Sequence, residues 1–357
     1  MVSAAKPLPL VSLLLPAFNE AGVLEENVGI ILAHLATLGD RYRFEVLIVN
    51  DGSRDATGQL AEGLAAGDPR LRVLHHVTNL GLGKALQTGF EQSRGDYVVT
   101  LDVDLSYSPD HVERLLECIQ LTHAQLVLAS PYMPGGRLTN VPWLRRTLSV
   151  WGNRFLKMFA RGGLSTLTCM VRAYDGPFLR SLALRSTDMD LMPEVIYKTM
   201  VLRGRIEQIP AHLDWTRQVA AGPPRRASSM RILRHVVSTV LSGFVFRPFM
   251  FLVLPGLLAL LFSGYVNFWM LSHFMDALAI VPPDEPGGRA TAAFAQAFAR
   301  FPHTFIVGFL SLVLAVLLIG LGVLALQAKK YFEETVFLQM SLKSALQRIT
   351  GKAADGR

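Results

Sequence analysis

Asp102 and Asp104 directly follow the apolar run Tyr97-Val98-Val99-Thr100-Leu101, so two carboxylates leave a strand end two residues apart. Closely spaced carboxylates repel, and a site that keeps both ionised offers a cation between them. All-oxygen ligands suit Mg2+ or Mn2+, which would bridge to the phosphates of a substrate. The plainer reading is a strand-end turn, with Ser108 and Pro109 starting the next helix. Asn50-Asp51-Gly52-Ser53 ends another apolar run and opens a helix. A carboxylate there can accept hydrogen bonds from a base or ribose, and the helix start favours negative charge. The alternative is an Asp-Gly turn with Asp55 as a helix cap. Asn79-Leu80-Gly81-Leu82-Gly83-Lys84 is not a dinucleotide fingerprint, which wants glycine at Leu86. Nor is it a P-loop, which wants glycine at Thr78 and Ser or Thr at Ala85. What remains is a glycine-permitted loop whose cation, Lys84, suits a diphosphate or sugar hydroxyls, or is simply solvated. Glu194, one helical turn after Asp190, can hold sugar hydroxyls or belong to a solvated helix face.

The elements that must position these residues are short β-branched or leucine-rich runs at 11–15, 45–50, 71–75, 97–101 and 126–129. Helix-like segments at about 22–38, 56–66, 84–92 and 109–120 separate them. Strand, helix, strand in succession predicts crossover connections and an α/β fold, a mostly parallel sheet with helices on both faces. Ligands of such sheets bind outside the carboxyl ends of the strands. The segments there are LPAFNE, NDGSRDAT, TNLGLGKAL and LDVDLSYSP.

The 357 residues are 51% hydrophobic and 18% charged. A soluble globular domain carries roughly 25% charge, so the composition argues for membrane-embedded material. Stretches 248–275 and 301–328 contain no Asp, Glu, Lys or Arg, and each exceeds the ~20 residues needed to cross a hydrocarbon core. Arg225, Arg226, Arg231, Arg234 and Arg247 precede the first, and Lys329 and Lys330 follow the second. The loop 276–300 has no cationic excess, so the positive-inside rule puts both chain ends in the cytoplasm. Segment 226–247 mixes Arg with Ile, Leu, Val and Phe and reads as an amphipathic element on the bilayer surface. The net charge of +7 is then membrane contact, and no nucleic acid is expected. Cys118 and Cys169 stand far apart, which excludes a disulfide scaffold and a cysteine-rich zinc site and suits a reducing compartment. The first residues lack the pattern of a secretory signal and read as the approach to the first strand.

Taken in order, LPAFNE, VNDGSRDAT, NLGLGKALQTG and TLDVDLSYSP resemble the family-2 glycosyltransferases with the GT-A fold. PYMPGGR, WLRRTLSVWGN, TCMVRAY and the IPAHLDW segment are similar to the polyprenyl-phosphate hexosyltransferases of the dolichol-phosphate mannose synthase type. The resemblance covers about residues 8–230, and the two-span tail is similar to bacterial membrane-anchored members. It implies a cytoplasmic GT-A domain over 1–225, a juxtamembrane segment over 226–247, and a first span over 248–275. An extracytoplasmic loop over 276–300, a second span over 301–328 and a cytoplasmic tail over 329–357 would follow. Pro16, Ala17, Asn19 and Glu20 would line the nucleotide pocket, with Asp51 and Ser53 on base and ribose and with Asn79, Gly81 and Lys84 beside the donor. Asp102 would sit by ribose and metal, Asp104 would ligate Mg2+ or Mn2+, and Ser106 stands beside them where relatives commonly carry Gln. Segment 136–153 would receive the lipid phosphate. Many relatives carry Arg where this chain has Pro131, so Arg137, Arg145, Arg146 and Arg172 are the candidates for the acceptor phosphate. Trp143, Trp151, Phe155 and Phe159 fit a helix dipping into the interface or ordinary core packing.

The implied reaction is inverting transfer of one sugar from a UDP- or GDP-hexose to polyprenyl monophosphate at the cytoplasmic face of the inner membrane. The related anchored enzymes imply a homo-oligomer, a tetramer. A processive polysaccharide synthase would want a Gln-x-x-Arg-Trp motif and further spans, neither of which occurs. A non-catalytic membrane scaffold that keeps the fold is the other alternative; Asp51, Asp102 and Asp104 argue against it.

Overall fold

A computed structural model describes residues 7–141, 163–216 and 249–354. The alternating pattern of the first part of the chain resolves into β1 (Leu10–Ala17), α1 (Leu24–Ala36), β2 (Arg43–Asn50), α2 (Thr57–Gly67) and β3 (Leu71–His75). There follow α3 (Leu82–Gln92), β4 (Tyr97–Thr100), α4 (Asp110–Thr122) and β5 (Leu126–Ser130). All of these lie within a few residues of the expected runs. After them come β6 (Arg137–Thr139), β7 (Arg172–Asp175), α5 (Gly176–Ser181), α6 (Leu191–Val201), β8 (Ile206–Pro210) and β9 (His212–Asp214); of these only the helix bearing Glu194 was expected.

Seven strands form one sheet in the order β3-β2-β1-β4-β7-β5-β8. β1 pairs in parallel with β2 and β4, β2 with β3, and β5 with β8, while β7 runs antiparallel between β4 and β5. The sheet is mostly parallel, as expected, with one reversed strand. Apart from Ser12, whose hydroxyl donates to Glu45 at 2.5 Å, β1 is apolar because both its faces are covered. Leu13 and Leu15 join Val28 and Ile31 of α1 and Val112 and Leu115 of α4. Leu14, on the opposite pleat, joins Leu86 and Phe90 of α3 and Val195 and Ile196 of α6. β6 and β9 pair separately as a two-stranded parallel ribbon.

The chain divides into two compact units, and the second, Gly243–Glu333, holds the apolar helices. A π-helical turn at Phe249–Val253 leads into α7 (Leu254–Ile280); α8 (Arg289–Arg300) and α9 (Pro302–Ala354) follow. Phe251–Ile280 and Pro302–Gln339 are long and apolar enough to cross a membrane. α7 and α9 pack antiparallel through small and polar residues. A Cβ on Gly256 would lie 2.7 Å from Ile319 Cγ1, and one on Gly322 would lie 2.4 Å from Val253 Cγ2. Asn267 Nδ2 donates to Gly308 O across the pair at 3.1 Å, which satisfies polar groups that lipid cannot. At the other end His273 stacks on Phe301, with ring centroids 3.8 Å apart. Val253 and His273 are twenty residues apart, about 30 Å of helix and the thickness of a hydrocarbon core. Two features differ from expectation. The segment read as a loop, 276–300, contains α8, and the tail from 329 continues α9 without a break as far as Ala354.

Candidate active site

Because β1, β2, β3 and β4 are parallel, their carboxyl ends share one rim. Ala17 is in register with Asn50, and Asn50 with His75; Leu101 N–H donates to Leu14 O beside them. The rim therefore gathers Asn19 and Glu20, then Asp51 to Ser53, then His76 to Asn79, then Asp102 and Asp104.

Asn19 adopts the left-handed conformation at φ 58°. Its N–H donates to Ser53 Oγ at 3.0 Å, and its Oδ1 accepts from Arg54 N–H at 2.8 Å. Glu20 N–H donates to Thr57 Oγ1 at 2.8 Å. These bonds staple the end of β1 to the loop after β2. Pro16 and Ala17 are the last residues of β1, directly below that staple. Burial, then the carboxylates of Asp104 and Asp55, push Glu20 up to about 7. The rim thus carries more negative charge than its surroundings balance, and a cation would relieve it.

Asp51 is buried. Its carboxylate accepts from Leu80 N–H and Gly81 N–H, each at 2.9 Å, and engages His76 Nδ1 at 2.7 Å. His76 Nε2 meets Thr88 Oγ1 of α3 at 2.9 Å, and Asn79 Nδ2 donates to Asp51 O at 3.3 Å. Asp51, expected on base and ribose, and Asn79 fasten the glycine loop to β2. The glycines are needed for that approach. Gly52 and Gly81 have φ of 65° and 93°, and a Cβ on Gly52 would lie 2.3 Å from Thr78 C.

The loop's other side is closed by segment 185–190. Lys84 N–H donates to Thr187 O at 3.0 Å, and Gln87 Nε2 donates to Ser186 O at 2.6 Å. A Cβ on Gly83 would lie 2.4 Å from Asp188 O. Glu194 anchors this segment by accepting from Arg185 N–H at 3.0 Å and Ser186 N–H at 2.8 Å, and it pairs with buried Lys198 at 2.5 Å. Burial works to raise the Glu194 pKa, but the Lys198 and Ser186 hydrogen bonds outweigh it and hold the carboxyl below its ordinary value. Glu194, expected as a sugar ligand or catalytic group or on a solvated helix face, thus holds segment 185–190 in place. The N–H groups of Leu80, Gly81 and Lys84 in the glycine loop have protein acceptors. Lys84's ammonium, in contrast, makes no hydrogen bond or ion pair with another described residue.

Asp102 and Asp104 are half-buried around a tight turn. Ser106 N–H donates to Asp104 Oδ1 at 2.9 Å and Ser106 Oγ donates to Asp102 Oδ2 at 3.4 Å, with Leu105 left-handed at φ 52°. Asn27 Nδ2 of α1 holds Val103 O at 2.9 Å. Among the described residues no three His, Cys, Asp or Glu side chains form a metal cluster. The hard oxygens of Asp102, Asp104 and Ser106, beside an overcharged Glu20, still fit a divalent cation that completes its shell with water and phosphate.

Asp214 N–H of β9 donates to Ser106 O at 2.9 Å, so the β6–β9 ribbon runs beside this turn. Arg137 and His212 are register partners on the ribbon, and His212 Nε2 meets Thr139 Oγ1 at 2.7 Å. Sequence reasoning identified Arg137 but not His212 or Thr139; the one signal was a lone histidine in IPAHLDW. Arg172, also expected at the acceptor phosphate, is 0% exposed. Its guanidinium donates to Cys169 O at 2.6 Å, Leu167 O at 2.8 Å and Met192 O at 2.9 Å. That expectation is corrected: Arg172 ties β7 to α6 in the core and reaches no ligand. Arg145, Arg146, Trp143, Trp151, Phe155, Phe159 and segment 226–247 lie outside the described residues.

The family model described as Glycosyl transferase family 2 matches residues 12–179. A polyprenol monophosphomannose synthase of Mycolicibacterium smegmatis is 33% identical over 190 residues, 52% of this chain and 69% of its own length. An undecaprenyl-phosphate mannosyltransferase of Micrococcus luteus is 36% identical over 172 residues, 46% of this chain and 70% of its own. Among solved structures, the glucosyl-3-phosphoglycerate synthase of M. tuberculosis aligns over 66% of this chain and 80% of its own with 22% identity and a TM-score of 0.48.

Proposed function

The chain belongs to glycosyl transferase family 2, and from that premise we propose that it transfers one hexose from a nucleotide-diphosphate sugar to a polyprenyl monophosphate. The reaction takes place at the cytoplasmic face of a membrane. The observation that carries this reading is the turn of Asp102 and Asp104, joined through Ser106 to the ribbon of Arg137 and His212. One rim therefore offers two carboxylates for a cation-bridged donor and, alongside, a ribbon that presents Arg137 to an anionic acceptor. The two similar proteins, by name a polyprenol monophosphomannose synthase and an undecaprenyl-phosphate mannosyltransferase, support the lipid phosphate as acceptor. The apolar hairpin of α7 and α9 supports a membrane location.

The chemistry is a single displacement. An oxygen of the acceptor phosphate attacks the anomeric carbon, the bond to the diphosphate breaks, and the nucleoside diphosphate leaves with inversion. With a second pKa near ~6 the acceptor is largely dianionic at neutral pH, so no protein base is required. The harder task is bringing an anion to a negatively charged donor as oxocarbenium character develops. Arg137 and His212 would draw in and orient the acceptor phosphate. Asn19, Glu20 and Ser53 would shape the nucleotide pocket, and Lys84 would face the diphosphate. A divalent ion held by Asp102 and Asp104, with Ser106 beside them, would supply charge neutralisation for the leaving group.

The test incubates full-length protein and Mn2+ with a panel of labelled nucleotide sugars and either undecaprenyl phosphate or undecaprenol. The reading predicts a single-sugar lipid from one donor class with the phosphate only. Transfer to undecaprenol, or a polymeric product, would contradict it.

A further inference from the structure

α8 is an element that neither the spans nor the transfer reaction requires. Its sequence, RATAAFAQAFAR, sorts onto distinct faces. Ala293 and Ala297 are buried against Ala277 and Val281 at the end of α7 and Phe305 at the start of α9. Phe294 and Phe298, one turn apart, stand on the adjoining face, 51% and 40% exposed. Both rings also touch Phe305, with centroids 5.1 and 5.6 Å away. Arg289 closes the carboxyl end of α7 by donating to Leu278 O at 2.7 Å and Val281 O at 3.1 Å, and Arg300 lies over the Phe301 ring.

We propose that α8 is a third membrane element, lying in the bilayer boundary at the far end of the hairpin with Phe294 and Phe298 inserted among lipid chains. The inference rests on the membrane reading of α7 and α9. The phenylalanine face meets α9 at Phe305, and both long helices carry exposed apolar side chains, among them Phe268, Leu271, Phe309 and Leu310. It also begins where the paired stretch ends, at the level of the His273–Phe301 stack. Aromatic rings at that depth fit the boundary between acyl chains and headgroups. Arg289 and Arg300 bracket the helix where lipid phosphates would meet them.

The test uses the unmodified full-length chain in phosphatidylethanolamine and phosphatidylglycerol vesicles. A lipid-partitioned aryl diazirine and, separately, hydroxyl radicals label it, and modified residues are mapped by mass spectrometry. Phe294 and Phe298 are expected to take up diazirine within about twofold of Phe268 and Phe309, and to be oxidised at least about fivefold less than Phe18. Oxidation at the level of Phe18 places the helix in water and overturns the inference. Protection from both reagents means a protein partner covers the face, which overturns it too. Failure of Phe268 and Phe309 themselves to take up diazirine would overturn the membrane reading beneath it.

Discussion

At the scale of single residues, what decides a role is depth and partner, neither of which a sequence states. Asp102 and Asp104 fall just past the end of β4, where the sequence placed them, and the role proposed for them rests on that position. Arg172 was misplaced because a charge in a suggestive motif looks the same whether it meets a ligand or a carbonyl, and the Glu194 carboxylate is spent on Lys198 and two backbone N–H groups. Replacing Arg172 with Met should leave three buried carbonyls unpaired and lower stability by about 3 kcal/mol or more. Urea titration reads that loss, and acceptor KM in the surviving fraction should not move. Arg137→Ala and His212→Ala should instead raise acceptor KM by about tenfold with donor KM unchanged. His111 offers a pH test. Burial holds it below its ordinary value, and its Nε2 accepts from His212 N–H at 3.1 Å, which requires that nitrogen bare. The unfolded ring binds a proton near 6.5 and the folded ring only at lower pH. The folded chain thus binds fewer protons as pH falls through that value. Stability from this site is full above it and declines below it. Thermal melts should show that fall, and His111→Asn should flatten it.

At the scale of elements, the first four strand–helix units were legible because their strands are apolar on both faces and their helices alternate with them. β6, β7, β8 and β9 were not. They are three to five residues long, and β7 opens on buried Arg172 instead of an apolar run. The packing of segment 185–190 on the glycine loop could not be read either, because it joins residues about a hundred apart. Gly83→Ala tests it. The added methyl would press on Asp188 O, costing about 1–3 kcal/mol, and the displaced loop should raise donor KM while leaving acceptor KM in place. Unchanged donor kinetics in a folded variant would mean that the segment does not shape the donor site.

At the scale of the whole molecule, the sequence announced two parts by composition alone, a charged α/β half and an apolar tail. What it could not announce was how the apolar residues are used. α8 reads as loop because alanines interrupt its aromatic spacing, and α9 reads as two segments because Lys329 and Lys330 interrupt an unbroken helix. Under the proposed function, a transferase domain held at the bilayer that carries its acceptor would meet that lipid at high effective concentration. Full-length protein should therefore turn over membrane-borne acceptor far faster than a water-soluble short-chain analogue at equal bulk concentration.

The central claim is that the acidic turn after β4 governs transfer. The most direct test is the turnover number of Asp104→Ala at saturating donor and acceptor, with Asp110→Ala on exposed α4 as the control. The account predicts a loss of about a thousandfold for Asp104→Ala and near-normal turnover for the control. Full turnover by Asp104→Ala would contradict it.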